Sequence, residues 1–155
     1  MIDFRLNRNR TGHEDIVFLL GSYSRICDSY YFFVDYTFDP DDESVDKALK
    51  VMRKLLQQWI NAVDSLVEGQ IIYLPFEFSD QYTGCVECTL SQDEILISAG
   101  YSNREAWRSW PNNISTYINS INDFKAFKEF ANCVVKMAKS RFREDVTRAI
   151  ERLGN

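Results

Sequence analysis

Alternating apolar and polar positions run through residues 71–101 and predict three adjacent strands. The polar residues 91–94, between the second and third runs, are typical of a tight hairpin connection. The pattern predicts an antiparallel meander with one buried face. That face carries Ile72, Leu74, Phe76 and Phe78 in the first run, Val86, Cys88 and Leu90 in the second, and Ile95, Ile97 and Ala99 in the third.

Further strands are expected before and after the meander. Residues 1–7 alternate in the same way, and residues 29–38 are rich in aromatic and β-branched side chains. Residues 114–121 resemble a last strand. Residues 14–27 fit a strand or a helix, and we favour a strand because Gly21 and Ser22 are poor helix formers.

Two helices are predicted from apolar positions that recur every three or four residues. Acids and Ser44 can open the first helix, and Gly69 can stop it. The second begins at Asn122 or Asp123 and continues to Leu153, as one long helix or as two with a bend near Ser140. The stripe of the first helix is Val45, Leu49, Met52, Leu56, Trp59, Val63 and Leu66; that of the second includes Phe124, Phe127, Ala131, Val134, Ala138, Phe142, Val146 and Ile150.

Together these elements predict a single α+β domain over residues 1–155, an antiparallel sheet with two long helices packed on one face. The stripe of the first helix could instead be a dimer seam, but packing across its own sheet is the commoner arrangement. Residues 16–20 form one of the longest apolar runs, far too short to cross a bilayer. Because Asp3 and Arg5 follow Met1 without an apolar leader, we expect a cytoplasmic protein away from membranes.

The charge distribution adds a hint about partners. The net charge is −5. Two stretches, residues 28–46 and residues 55–103, contain several acids and no Lys or Arg. Acid-only stretches argue against nucleic-acid binding and suit a basic protein partner. The other interpretation is a solvated acidic surface kept for solubility.

Candidate chemistry is sparse, and we expect no catalytic residue, metal or cofactor. The only histidine, His13, lies in a polar connector typical of a solvated surface. The pair Cys85 and Cys88 lies inside a predicted strand, where we expect one buried side chain and one exposed thiol rather than a zinc or redox site. Glu77, Asp80 and Glu87 could serve as paired carboxylates of a small hydrolase.

Aromatic residues in or beside connections are a better lead, because tyrosine and tryptophan next to acids are typical of protein interfaces. For the two tryptophans, folding inward to plug the end of the sheet is the other interpretation. The candidate partner-binding residues are Asp39, Asp41, Asp42, Glu77, Asp80, Tyr82, Tyr101, Glu105, Trp107 and Trp110.

Residues 73–84, Tyr-Leu-Pro-Phe-Glu-Phe-Ser-Asp-Gln-Tyr-Thr-Gly, are similar to a stretch of small bacterial proteins. The likeness continues at residues 100–107, 111–113 and 121–124, under half of the chain. These proteins resemble immunity proteins encoded beside polymorphic or contact-dependent growth-inhibition toxins. Two positions depart from that pattern: Ala106 replaces an expected glycine, and Cys85 an expected aromatic or aliphatic residue.

The resemblance implies a cytoplasmic, non-catalytic protein that binds and blocks one cognate toxin domain, often a nuclease. Such proteins diverge most where they touch the toxin, so the resemblance also implies that the matching residues are scaffold. We expect a monomer rather than a homodimer. The competing hypotheses are the carboxylate-dependent hydrolase and a structural or regulatory subunit that dimerises through the first helix.

Overall fold

The computed structural model describes residues 1–7, 13–33, 44–103 and 127–154. Within them, seven strands and three helices follow one another along the chain. The strands are β1 (Ile2–Leu6), β2 (Ile16–Leu20), β3 (Tyr23–Cys27), β4 (Ile71–Phe78), β5 (Thr83–Ser91), β6 (Glu94–Ser102) and β7 (Lys128–Ala138). The helices are α1 (Tyr30–Phe33) and α2 (Val45–Asp64), between β3 and β4, and α3 (Lys139–Arg152), after β7.

The strands form two antiparallel sheets. The first has the order β1-β2-β3, with Phe4 opposite Phe18 and Phe18 opposite Arg25. The second has the order β4-β5-β6-β7. Its register is regular except for irregularities after Pro75 and after Ser98. Proline is tolerated on β4 because an edge strand needs fewer ladder hydrogen bonds.

Helix α2 begins at a serine cap and buries its apolar stripe. The Ser44 side chain accepts a hydrogen bond from the Lys47 amide at 3.3 Å. Trp59 is fully buried, and its indole N–H donates to the Pro75 carbonyl on β4 at 3.0 Å. The stripe residues whose side chains the structure describes are all buried in the core, which confirms the prediction that the stripe packs within its own chain: Leu49, Met52, Leu56, Trp59, Val63 and Leu66.

Aromatic rings from both sheets and from helices α2 and α3 meet in one core. Phe18 stacks on Phe76 with ring centres 4.2 Å apart, which joins the first sheet to the second. Trp59 meets Phe4 at 5.4 Å and Phe142 of α3 at 6.4 Å. Because each aromatic side chain buries a large apolar area, this group is the main hydrophobic anchor of the fold.

Helix α3 is attached to β1 through two buried aspartates. Asp145 accepts a hydrogen bond from the Ile2 amide at 3.0 Å and pairs with Arg141 and Arg148. Asp3 pairs with Arg5 of its own strand and with Arg152 at the end of α3. A buried carboxylate needs such partners to offset its lost hydration.

The prediction of one sheet covered by two long helices is wrong. The described residues are mostly antiparallel strand in two sheets, and the long second helix does not form. In its place, β7 pairs with β6 along residues 128–138, and only the 14 residues of α3 are helical. The α+β content itself is as predicted.

A second correction concerns residues 29–38, predicted as a strand. Their described part forms the short helix α1, because the buried Asp15 binds both the amide and the hydroxyl of Ser29 and turns the chain there. Phe32 then packs edge-on against Phe78 at 5.6 Å. Residues 34–38 and the strand predicted at 114–121 lie outside the described residues.

The remaining strand predictions are confirmed. The opening strand is β1, residues 14–27 hold the hairpin of β2 and β3, and the meander is β4-β5-β6 with its buried face as expected. Gln92 and Asp93 at the β5–β6 turn both have positive φ, as a tight hairpin requires. Within the described residues, none of the helices is both long and apolar enough to span a membrane.

Candidate binding site

An arginine on the first sheet and a glutamate on the second form the centre of the candidate site. Arg25 Nε donates to Glu77 Oε2 at 2.5 Å, and its Nη2 lies 3.3 Å from Glu77 Oε1. The same Nη2 donates to the Tyr82 hydroxyl at 3.0 Å, and that hydroxyl donates to Glu77 Oε1 at 2.8 Å. Both carboxylate oxygens are therefore engaged by a closed ring of three side chains.

Aromatic rings surround this centre. The Arg25 guanidinium lies over the Phe130 ring at 4.8 Å and over the Tyr82 ring at 5.7 Å, a favourable cation–π arrangement. Phe130 also stacks on Tyr23 at 5.7 Å and on Tyr101 at 5.6 Å. We call Tyr23, Arg25, Glu77, Tyr82, Tyr101 and Phe130 the Arg25 cluster.

The second sheet makes room for the cluster at Gly84. Glu77, Gly84 and Tyr101 are neighbours across β4, β5 and β6. A Cβ on Gly84 would lie 2.9 Å from Glu77 Cβ and 3.0 Å from Glu77 Oε2, closer than such atoms approach. Glycine at this position therefore leaves the space in which the Glu77 carboxylate reaches Arg25.

The surroundings shift the protonation equilibria of the centre. Burial, with help from the hydrogen bond and negative charge of Glu77, raises the pKa of Tyr82 to about 12. Burial alone would lower the pKa of Arg25, but the hydrogen bond and charge of Glu77 outweigh it and raise that pKa above its usual range. Near neutral pH Arg25 is therefore a cation and Tyr82 a neutral phenol.

The cluster is partly open to solvent. Glu77 is buried, whereas the other five members are half-buried. The exposed Lys128 places its ammonium 6.0 Å from the centre of the Tyr101 ring. The outward surface is thus aromatic with a cationic edge, while the one acid of the cluster is held inside.

The structure brings three of the predicted partner-binding residues together: Glu77, Tyr82 and Tyr101. Asp80 lies apart from their hydrogen-bonded ring and accepts a hydrogen bond from the Tyr31 hydroxyl. The others lie outside the described residues: Asp39, Asp41, Asp42, Glu105, Trp107 and Trp110.

Sequence reasoning missed Arg25, Tyr23 and Phe130. A usable signal was present for Arg25, because the period of two along β3 puts it on the same face as Tyr23 and the buried Cys27. A cation that faces the interior requires an acidic partner. Glu77 is such an acid, because it lies on β4 between the buried Phe76 and Phe78. Phe130 gives no such signal, because the spacing of the apolar residues around it predicts a helix instead of β7.

Within the described residues, several acids of the second acid-only stretch, residues 55–103, meet cations or hydrogen-bond donors of the same chain. Asp64 pairs with Arg143, and Glu94 pairs with Lys136 at 2.5 Å. Glu68 accepts from the Gln92 amide at 3.0 Å, and Glu87 accepts from Tyr73. Two of these acids, Asp64 and Glu94, are therefore paired with cations of the same chain.

The cysteines differ from expectation at one position. Both Cys85 and Cys88 are fully buried, so the predicted exposed thiol is wrong. Burial raises the pKa of each thiol above its usual range. Among the described residues no group of three or more His, Cys, Asp or Glu side chains is placed to hold a metal ion.

His13 is mostly exposed, as predicted from its polar connector. Its Nδ1 lies 3.2 Å from Asp28 Oδ2, and its ring is parallel to that of Tyr30 at 6.1 Å.

In comparisons with protein-family models, curated proteins and solved structures, nothing matched this chain.

Proposed function

We propose that the protein is a cytoplasmic immunity protein that binds a cognate bacterial toxin domain, such as a nuclease, and neutralises it in a stoichiometric complex. The observation that carries the binding function is the Arg25 cluster. Tyrosine and arginine are enriched among the residues that dominate binding energy at protein interfaces. Because contacts within the chain already hold these side chains, less conformational entropy is lost when a partner binds.

The toxin-neutralising form of the proposal rests on the resemblance of residues 73–84 to immunity proteins. That stretch contains Glu77, Tyr82 and Gly84, which build the Arg25 cluster. Glu77 and Gly84 are buried and act as scaffold, as the resemblance implies. Tyr82 and Tyr101 also lie in matching stretches, so the contact surface would be centred on the half-buried ring of Phe130, on which Tyr101 stacks and which Tyr82 supports through Tyr101.

Charge supports a basic partner at long range rather than at the contact itself. A protein of net charge −5 attracts a cationic domain over distances of about a Debye length. At the cluster, the neighbouring cations Arg25 and Lys128 suit aromatic or acidic groups on the partner. We therefore expect salt to slow association more than it speeds dissociation.

Binding is better supported than turnover by the state of the candidate reactive groups. The Glu77 carboxylate is engaged by Arg25 and Tyr82, which leaves it poorly suited to take a proton from a substrate. The thiols of Cys85 and Cys88 are buried, and a raised pKa keeps them protonated and weakly nucleophilic.

The decisive experiment titrates the purified protein into the toxin domain encoded directly upstream of its gene. Toxin activity should fall linearly and vanish near one equivalent. Tyr101→Ala and Phe130→Ala should each weaken the complex by about 1–3 kcal/mol. Tyr30→Ala is the matched control, because Tyr30 is an exposed tyrosine outside the cluster.

Two outcomes would contradict the proposal. Continued loss of toxin activity over hours with substoichiometric protein, together with chemically altered toxin, would mean catalysis. Equal effects of Tyr30→Ala and Tyr101→Ala would place the interface elsewhere.

A further inference from the structure

A cleft lies at the junction of β1, α2 and α3, and none of the Arg25 cluster lines it. Its volume is about 260 Å³. At the ~30 Å³ that a water molecule occupies in the liquid, this is room for roughly eight or nine non-hydrogen atoms. The cleft is lined by Phe4, Arg5, Leu6, Leu49, Arg152 and Leu153.

Four of the six lining residues are apolar, and three of these belong to the buried core. Phe4, Leu49 and Leu153 are almost inaccessible to solvent, and Leu6 packs against the same core. Such walls take up an aliphatic or aromatic group by removing its apolar surface from water. They define the apolar end of the site.

The other two lining residues are arginines held by one shared carboxylate. Asp3 is fully buried, and its Oδ2 accepts from Arg5 Nε at 3.1 Å and from Arg152 Nη1 at 2.7 Å. Both arginine side chains remain about half exposed. Two cations against one anion leave a net positive charge at the cleft.

The contacts of the two arginines with described residues use only some of their hydrogen-bond donors. Each guanidinium carries five N–H groups, of which Asp3 takes one from each and the Arg148 carbonyl takes a second from Arg152. The Arg53 guanidinium adds a further cation nearby, since its central carbon lies 3.3 Å from where a side chain on Gly154 would begin. Paired guanidiniums recognise carboxylates through parallel, charge-assisted hydrogen bonds.

We propose that this cleft binds a small carboxylate that carries a branched aliphatic group, with the carboxylate on Arg5 and Arg152 and the apolar group between Phe4, Leu49 and Leu153. The same chemistry is offered by a free short-chain acid and by the C-terminal leucine of a peptide. The arrangement matches the usual form of ligand sites, an apolar concavity with a few convergent polar groups.

The test uses matched probes on the intact protein, followed by amide chemical shifts in NMR titrations. The free acid is represented by 4-methylpentanoate, its uncharged counterpart by 4-methylpentanamide, and a peptide end by N-acetyl-leucine. We expect 4-methylpentanoate to shift the amides of Phe4, Leu6, Leu49 and Leu153, and to bind at least about tenfold more tightly than the amide. Tighter binding of N-acetyl-leucine than of 4-methylpentanoate would identify a chain end as the ligand.

A pair of variants makes the test specific. Arg152→Gln should weaken 4-methylpentanoate binding by about tenfold or more. Arg148→Gln is the matched control. It also removes one of the two arginines that pair with a buried aspartate, here Asp145, but Arg148 is not among the residues that line the cleft. If Arg152→Gln did not fold, Leu49→Phe would fill the apolar end and should abolish binding with both arginines in place.

Equal binding of 4-methylpentanoate and its amide would overturn the proposal, as would shifts confined to residues away from the cleft. So would equal affinity of the Arg152→Gln and Arg148→Gln variants for 4-methylpentanoate. Because the cleft and the Arg25 cluster share no residue, none of these results depends on whether a toxin is bound.

Discussion

Arg25 on β3 and Glu77 on β4 form an ion pair, 2.5 Å from Nε to Oε2, that links the two sheets. The side chain of Glu77 is only 8% exposed, so its carboxylate depends on Arg25 and Tyr82 for the interactions that water would otherwise provide. Removing one partner from such a pair leaves an uncompensated buried charge. The pair is therefore a point where stability and the geometry of the proposed binding surface are coupled.

Arg25→Ala should lower the free energy of unfolding by about 2–4 kcal/mol, because it leaves the Glu77 carboxylate buried without its cation. Urea denaturation of Arg25→Ala, Glu77→Ala and the double variant gives the coupling energy, which we expect to exceed about 1 kcal/mol. The exposed pair of Arg143 and Asp64 is the control, with coupling below about 1 kcal/mol. Equal coupling in the two pairs would mean that burial adds nothing at Arg25.

Gly84→Ala should destabilise the protein by about 1–3 kcal/mol, because the new methyl group overlaps the Glu77 side chain. The same substitution in a Glu77→Gly background should cost less, since that background removes both the Glu77 Cβ at 2.9 Å and the carboxylate oxygen at 3.0 Å. Thermal unfolding of the two pairs of proteins measures this difference. Identical costs in both backgrounds would show that the clash lies with Phe76, whose ring is also close.

Local patterns were sufficient where a single period along the element decides which face is buried. The stripe of α2 and the alternation of the meander both identified the buried residues correctly. In and just before β7, by contrast, Phe127, Ala131 and Val134 recur at helical spacing in the sequence, while the residues that face the core are Cys133, Val135 and Met137, at a period of two. Pairing with β6 decides between the two patterns, and no local signal reports it.

The candidate site illustrates the same limit. Tyr82 and Tyr101 were found because aromatic residues beside turns are locally visible. Arg25 and Glu77 are 52 positions apart, and only the meeting of the two sheets makes them partners. Likewise, Ser29 binds Asp15 from another segment, which turns a run of strong β-formers into α1.

Trp59→Phe should cost about 1–3 kcal/mol although it keeps an aromatic ring in the core. It removes the indole N–H that donates to the buried Pro75 carbonyl, and an unsatisfied buried carbonyl carries a desolvation penalty. Trp59→Ala should cost about 3–5 kcal/mol, because a cavity is added to that loss. Leu56→Ala, at about 2–5 kcal/mol, serves as the cavity-only comparison. Chemical denaturation followed by far-UV circular dichroism distinguishes the three.

The four cysteines should react slowly with a disulfide reagent in the native protein and rapidly in urea. All four are buried, and burial raises the pKa of each thiol, so the reactive thiolate is scarce. Each cysteine that reacts releases one thiol from the reagent, so the amount of reagent thiol released over time at neutral pH measures the rate. One fast-reacting thiol in the native protein, lost in Cys85→Ser, would restore the exposed cysteine that the strand pattern predicted.

Tyr82 should make stability depend on pH on the alkaline side. Its pKa is about 12 in the folded protein and about 10 in the unfolded chain. Between these values the folded state keeps a proton that the unfolded state has lost, so the contribution of the phenol is complete below about pH 10 and is lost as the pH rises toward about 12. The stability difference between the wild-type protein and Tyr82→Phe should therefore shrink across that window. The difference in tyrosinate absorbance between the two proteins should titrate near pH 12 without urea and near pH 10 in urea. A midpoint near 10 in both conditions would mean that Tyr82 is not held by the ring of Arg25 and Glu77.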